Sequence, residues 1–144
     1  MIKYIYIKKK LIALIIGRNF KSTGIKFFTP DNSFQQLGYM NRPKNYFIKP
    51  HKHIENVKKI NKTQEVLFIK SGKLRIDLYS SKKYYRSFIL NKGDIIFLSS
   101  GGHGFKMLKP TEIIEVKQGP YSKFNDKIFL DPVNEKKIKI ERKE

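Results

Sequence analysis

The chain has 144 residues, 40% of them apolar and 13% aromatic, which is enough for one domain with a buried core and excludes a disordered polypeptide. It contains no cysteine, so disulfides and thiolate metal sites are excluded and any metal must bind His, Asp, Glu or carbonyl ligands. The formal net charge is +19 at pH 7, which raises nucleic acid as a partner.

The type of basic residue argues against that partner. Five of the 31 basic residues are Arg and the remaining 26 are Lys, spread along the chain rather than gathered in one block. Proteins that read base sequence rely on Arg for bidentate contacts with guanine. The composition therefore predicts no specific nucleic-acid site and leaves open only weak, salt-sensitive binding to polyanions.

The N-terminal segment needs to be distinguished from a targeting signal. Its uninterrupted apolar run, residues 11–16, is far shorter than the roughly 20 residues of a membrane helix. Arg18 and Lys21 follow it, where a small-residue cleavage site would otherwise lie. We therefore expect two short strands here, no membrane span and a cytoplasmic location.

Short β-branched and aromatic runs, separated by Gly, Pro, Asn and Ser turn signals, continue along the chain. In residues 73–79, Leu74 and Ile76 alternate with Arg75 and Asp77, which predicts a strand with one apolar and one polar face. The predicted strands are residues 2–7, 11–16, 25–28, 34–40, 46–53, 65–70, 73–79, 84–90, 95–98, 105–108 and 113–117.

This pattern predicts an all-β fold. No segment keeps a helical period for more than two turns, and short strands at regular spacing are typical of a sandwich or barrel. We expect a single domain over residues 1–130, including the short N-terminal strands, and a charged tail over residues 131–144 that adds one strand or stays mobile.

All three histidines lie at predicted strands or their edges. His51 and His53 are two residues apart, so a strand places both side chains on one face. Glu65 begins the next strand, and His103 follows residues 95–98. Three imidazoles and a carboxylate on neighbouring strands predict a site for a divalent transition metal: iron, manganese, zinc, nickel or cobalt.

Two further residues are candidates for catalysis. Glu115 is flanked by Ile114 and Val116; an inward-facing carboxylate there is a candidate general base or a partner for a histidine, and pairing with a lysine is the alternative. Tyr121 follows Gly119-Pro120 and is expected to line the mouth of the barrel, with simple packing as the alternative.

At these positions the chain resembles the small single-domain cupins. His51-x-His53, and Glu65 separated by six residues from Gly72, fit the first cupin motif, with Asn45 in place of its leading glycine. Asn also adopts left-handed backbone conformations. Eleven residues separate His53 from Glu65, a longer loop than the common pattern has.

The second cupin motif is fitted more loosely. Gly93 begins it and Gly101 stands at its later glycine, while Ser99 replaces its proline and His103 comes one residue early. The glycines before His103 are expected to let the chain turn sharply there.

The run GGHGF, followed by IIEVKQGPY and by Asp126-Lys127, resembles a group of small cupins found near enzymes of sugar and cell-surface polysaccharide biosynthesis. The resemblance covers roughly residues 11–130. It implies a double-stranded β-helix (jelly-roll barrel), a ligand set of His51, His53, Glu65 and His103, and a homodimer through the first thirty residues.

It also implies a sugar-derived small molecule as ligand, with several chemistries open. A bound metal and a nearby carboxylate or tyrosine would give isomerase or epimerase activity. Histidines acting as acid and base without a metal, as in nucleotide-sugar ketoisomerases of this fold, are the second possibility. A ligand sensor without turnover and an oxygen-dependent oxidation at iron complete the set.

Overall fold

The computed structural model describes residues 1–122 and 126–143. Apart from one 3-10 turn, Glu135–Lys137, the regular elements in these residues are strands, which confirms the all-β prediction. They are β1 (Ile2–Ile7), β2 (Lys10–Ile16), β3 (Gly24–Phe27), β4 (Gly38–Asn41), β5 (Glu65–Ser71), β6 (Lys73–Ser80), β7 (Lys83–Asn91), β8 (Ile95–Leu98), β9 (Gly102–Met107), β10 (Glu112–Lys117) and β11 (Ile140–Glu141).

In the part of the chain that the structure describes, no helix is long and apolar enough to cross a membrane. The chain divides into two compact units. The larger unit comprises residues 1–20 and 63–144, and the smaller comprises residues 21–62.

The larger unit is built from two sheets. One has the order β1-β2-β8-β5-β10 and the other β11-β7-β6-β9, and every pairing except the parallel β11-β7 pair is antiparallel. Across residues 1–122 and 126–143, none of the sheets closes on itself as a barrel. The two sheets share one buried core, formed by Ile5, Ala13, Ile15, Leu67, Ile69, Ile96 and Leu98 from the first and Leu74, Ile76, Leu78, Phe88 and Leu90 from the second.

The alternation predicted for β6 is confirmed. Leu74 and Ile76 point into the core, and Arg75 and Asp77 lie on the opposite face. Both charged residues are nevertheless buried, because the C-terminal segment lies across this face. The backbone of Lys139 accepts a hydrogen bond from Ser87 N at 3.0 Å, and the tail adds β11 to the sheet.

The smaller unit contains the β3-β4 hairpin, with Gly24 opposite Asn41 and Phe27 opposite Gly38. β4 begins later than predicted, since residues 30–36 form a turn that Gln36 holds by donating to the Pro30 carbonyl at 2.9 Å. The turn after β4 places Asn45 at φ 68°, the left-handed conformation expected there.

The prediction of a strand at residues 46–53 is wrong: this segment is irregular and exposed. Pro50 has no backbone N–H to donate to a neighbouring strand, and the lysines around it favour solvent. His51 and His53 therefore do not lie on one face of a β-sheet, as the sequence predicted.

Gly101 makes the turn that leads into β9. Its φ is +80°, and a Cβ added there would lie 2.4 Å from the carbonyl oxygen of Tyr79. Only glycine adopts this conformation and this close approach without strain. Gly104, three residues later in β9, has open space within 4 Å of an added Cβ.

These two glycines give a matched test of the turn. Gly101→Ala is expected to lower the free energy of unfolding by about 1–3 kcal/mol, because it combines a strained φ with a backbone clash. Gly104→Ala should stay within about 1 kcal/mol of the parent protein. Denaturant unfolding followed by circular dichroism measures both, and equal losses in the two variants would contradict the role of the turn.

Candidate functional site

Glu65 and His103 meet between the two sheets of the larger unit. Glu65 is the first residue of β5 and shares the inward face of that strand with Leu67. His103 lies on β9 opposite Leu78, and therefore also on an inward face. The Nε2 atom of His103 is 3.2 Å from Oε2 of Glu65. The pair bridges the sheets at one end of the core.

The pair is partly shielded and lies in a positive environment. The side chain of Glu65 is 12% exposed and that of His103 29%. The hydrogen bond from His103 lowers the pKa of Glu65, and the positive charges of His103, Lys117 and Lys127 lower it further against the opposing effect of burial. Glu65 is therefore a carboxylate at neutral pH, and it fixes the orientation of the imidazole.

A cavity of about 740 Å³ opens beside this pair. A cavity of this size accommodates a small organic ligand. Its wall bends around β9, because it includes residues from both faces of that strand, such as His103 and Lys106, together with Arg75 and Asp77 from the outer face of β6. Its lining includes Glu65, His103, Arg75, Asp77, Gly104, Lys106, Asp126, Lys127 and Glu135.

Glu115 and Tyr121 lie near charged groups but are not buried. Glu115 is 45% exposed, and its carboxylate is 3.5 Å from Nζ of Lys117, which is the lysine pairing considered above. Lys117 also lies 3.5 Å from Asp126, and its Nζ is 5.5 Å from the ring centre of the exposed Tyr121. A catalytic role for Glu115 and Tyr121 stays a prediction.

Sequence reasoning did not select Lys117 and Lys127 as site residues. A usable signal was present for Lys117, since it follows Glu115 by two residues and so shares its face of a strand. In the structure Lys117 is the register partner of Glu65.

His51 and His53 belong to the smaller unit. Their rings are 5.5 Å apart at 73°, both residues are exposed, and Nδ1 of His51 is 2.8 Å from the carbonyl oxygen of Lys49. The structure thus pairs His51 with His53 and Glu65 with His103. Within residues 1–122 and 126–143, no three His, Cys, Asp or Glu side chains are grouped as ligands for a metal ion.

Comparison with known proteins gives no relative: no family model, curated protein or solved structure matches the chain.

The hydrogen bond between His103 and Glu65 is testable by titration. In His103→Ala the pKa of Glu65 should rise toward its ordinary value of 4.5, since both the hydrogen bond and the imidazolium charge are lost. A group with a lowered pKa stabilises the fold above its unfolded value and loses that contribution as pH falls through the folded value. The variant should therefore be less stable than the parent above pH 4.5, with the difference shrinking at lower pH.

Carboxyl-detected NMR measures the titration directly. The carboxylate of Glu112, which pairs with Lys70 and Ser71, serves as the internal control and should titrate identically in both proteins. A Glu65 pKa that does not change would show that the pair is not formed in solution.

Proposed function

We propose that this chain binds a small sugar-like molecule in the cavity beside Glu65 and His103, and that this pair moves a proton on it in an isomerase or epimerase reaction. The observation that carries the proposal is the 3.2 Å contact between imidazole and carboxylate at the wall of a 740 Å³ cavity. An imidazole held by an ionised carboxylate is a common general acid–base arrangement in enzymes.

The chemistry follows from the charges around the pair. In a sugar with a carbonyl group, one member of the pair removes a proton from the neighbouring carbon and an enolate forms. For isomerisation, a proton also moves from the hydroxyl group of that carbon to the carbonyl oxygen, and the carbon-bound proton is returned to the former carbonyl carbon. For epimerisation, a proton is returned to the original carbon on its opposite face. The ammonium groups of Lys117 and Lys127, which act on Glu65, would also stabilise the negative charge that develops on the enolate oxygen.

The sugar class is supported by the sequence alone. The run that contains His103 and the segment that reaches Asp126 resemble small cupins encoded near polysaccharide biosynthesis enzymes. The same resemblance supports a jelly-roll relationship and a homodimer through residues 1–30. In the structure β1 forms one edge of its sheet, with Tyr4 and Tyr6 partly exposed on it.

Replacing the carboxylate tests the proton transfer. Glu65→Gln should lower the rate of carbon–hydrogen exchange in a keto-sugar or nucleotide-sugar by about 100-fold or more, because the neutral amide does not accept the proton and lacks the negative charge that supports the imidazole. Proton NMR of the sugar in deuterated water measures the exchange. Glu112→Gln removes the same charge from an exposed pair with Lys70 and should exchange at the parental rate.

The outcomes separate the candidate functions. Exchange that is equally fast in Glu65→Gln would refute the catalytic role of the pair. Tight binding of a sugar by the parent protein without any exchange would show a binding protein or sensor in place of an enzyme.

A metal-dependent function is the second candidate, because two of the four predicted ligands, Glu65 and His103, are adjacent in the structure. A divalent ion would polarise a carbonyl or hydroxyl group of the ligand. Catalytic sites of this kind usually hold their ion with three protein ligands. The Glu65–His103 pair supplies two of them.

Elemental analysis decides whether the other predicted ligands take part. If they do, protein purified without a His tag or chelator should carry close to one equivalent of transition metal, and the double variant His51→Ala/His53→Ala should carry little. Equal metal content in both proteins, or none in either, would remove His51 and His53 from the ligand set. This measurement does not depend on activity.

A further inference from the structure

Arg75 is a buried cation, and one edge of its guanidinium group is paired with Asp77. Its side chain is 7% exposed, and Nε and Nη2 donate to the carboxylate of Asp77 at 2.8 and 2.9 Å. Ser87 also donates to Asp77, which holds that carboxylate in place. A guanidinium keeps its charge when buried, so Arg75 presents a fixed positive fork toward whatever lies on its other side.

The other side of Arg75 is occupied by Glu135. Nη1 of Arg75 is 2.8 Å from Oε2 of Glu135, Nη2 is 3.1 Å from Oε1, and Nζ of Lys106 is 2.8 Å from the same Oε1. Hydrogen bonds from Arg75 and Lys106 lower the pKa of Glu135 to about 2. A planar fork plus an ammonium group is an arrangement that also suits a phosphate oxyanion.

Glu135 is held much less firmly than Asp77. Its side chain is 58% exposed, whereas Asp77 is buried. It lies on a 3-10 turn of three residues, none of which is buried. If Glu135 moves away, one positive charge is left uncompensated, because Arg75 and Lys106 are both positive and Asp77 is the single negative partner among these three residues. An anion of the ligand can therefore take its place without disturbing the buried Arg75–Asp77 pair.

This position lines the same cavity as the Glu65–His103 pair. Gly104 and Lys106 lie on the outer face of β9, opposite Asp77 and Arg75 on β6. Since Gly104 has no side chain and the space beside it is open within 4 Å, the cavity wall here is unobstructed. A ligand that extends around β9 would contact both His103 on one face and Lys106 on the other.

We propose that Arg75 and Lys106 form a phosphate subsite, and that Glu135 occupies it as an internal substitute until a phosphorylated ligand binds. This inference rests on the proposed function in that the subsite and the acid–base pair share one ligand. It specifies that ligand as a phosphorylated sugar.

The test uses inorganic phosphate and pyrophosphate as probes, measured by isothermal titration calorimetry on the full chain at one fixed ionic strength. Glu135→Gln removes the competing charge and should bind pyrophosphate at least tenfold more tightly than the parent. Lys106→Gln should bind it at least tenfold more weakly than the parent. Both substitutions leave the hydrogen bonds between Arg75 and Asp77 in place, so both variants are expected to fold.

The chain also supplies matched controls for charge. Glu112 and Lys70 form an exposed pair like that of Glu135 and Lys106. Because the chain carries a charge of +19, nonspecific attraction of anions changes equally in Glu112→Gln and Glu135→Gln, and equally in Lys70→Gln and Lys106→Gln. Equal affinities within either matched pair would overturn the subsite. If Glu135 has a purely structural role, Glu135→Gln will loosen the C-terminal segment and leave the affinity for pyrophosphate unchanged. That result would also overturn the phosphate subsite.

One further variant separates this inference from the proposed function. His103→Ala removes the acid–base pair but leaves Arg75 and Lys106 in place, so it should bind pyrophosphate as the parent does. If His103→Ala still binds pyrophosphate and the parent protein exchanges no sugar hydrogen, the phosphate subsite stands and the catalytic proposal fails. Loss of binding in His103→Ala would overturn a subsite centred on Arg75 and Lys106.

Discussion

The alternation of side chains along β6 determines what lies on both sides of the second sheet. Its aliphatic residues, such as Leu74 and Ile76, complete the core shared with the first sheet. Its charged residues, Arg75 and Asp77, point the other way and would be costly to bury without partners. Glu135 and Ser87 supply those partners, so the same strand both closes the core and anchors the C-terminal segment.

The position of β6 in its sheet also places the candidate site. β6 lies between β7 and β9, and its register with β9 puts His103 opposite the inward-facing Leu78. The turn at Gly101 leads the chain into that register. The site is therefore positioned by backbone pairing within one compact unit.

Many of the strands could be predicted from the sequence, because a strand depends on the local pattern of apolar and turn residues. The strands around Leu67, Leu74 and Ile96 follow from apolar alternation and turn residues, and their bounds agree closely with prediction. Residue type and spacing selected Glu65 and His103 as candidates, and the structure brings the two side chains into contact. The burial of Arg75 could not be foreseen, since Glu135, which contacts it, is sixty residues away in the sequence, and alternation alone predicts a solvent-facing arginine.

The segment around His51 shows where a local pattern fails to predict a strand. A pattern of period two predicts a strand only where a neighbouring strand can accept its backbone hydrogen bonds, and Pro50 lies within this segment. The chain between His53 and Glu65 has eleven residues, which at roughly 3.5 Å each can span about 40 Å. Connectivity therefore neither forces the two histidines toward Glu65 nor prevents them from reaching it. If a metal ion binds all four residues, the free energy of binding must also fix this exposed, lysine-rich segment, so affinity and ordering would be coupled. The acid–base proposal needs no such ordering, because Glu65 and His103 are already in contact.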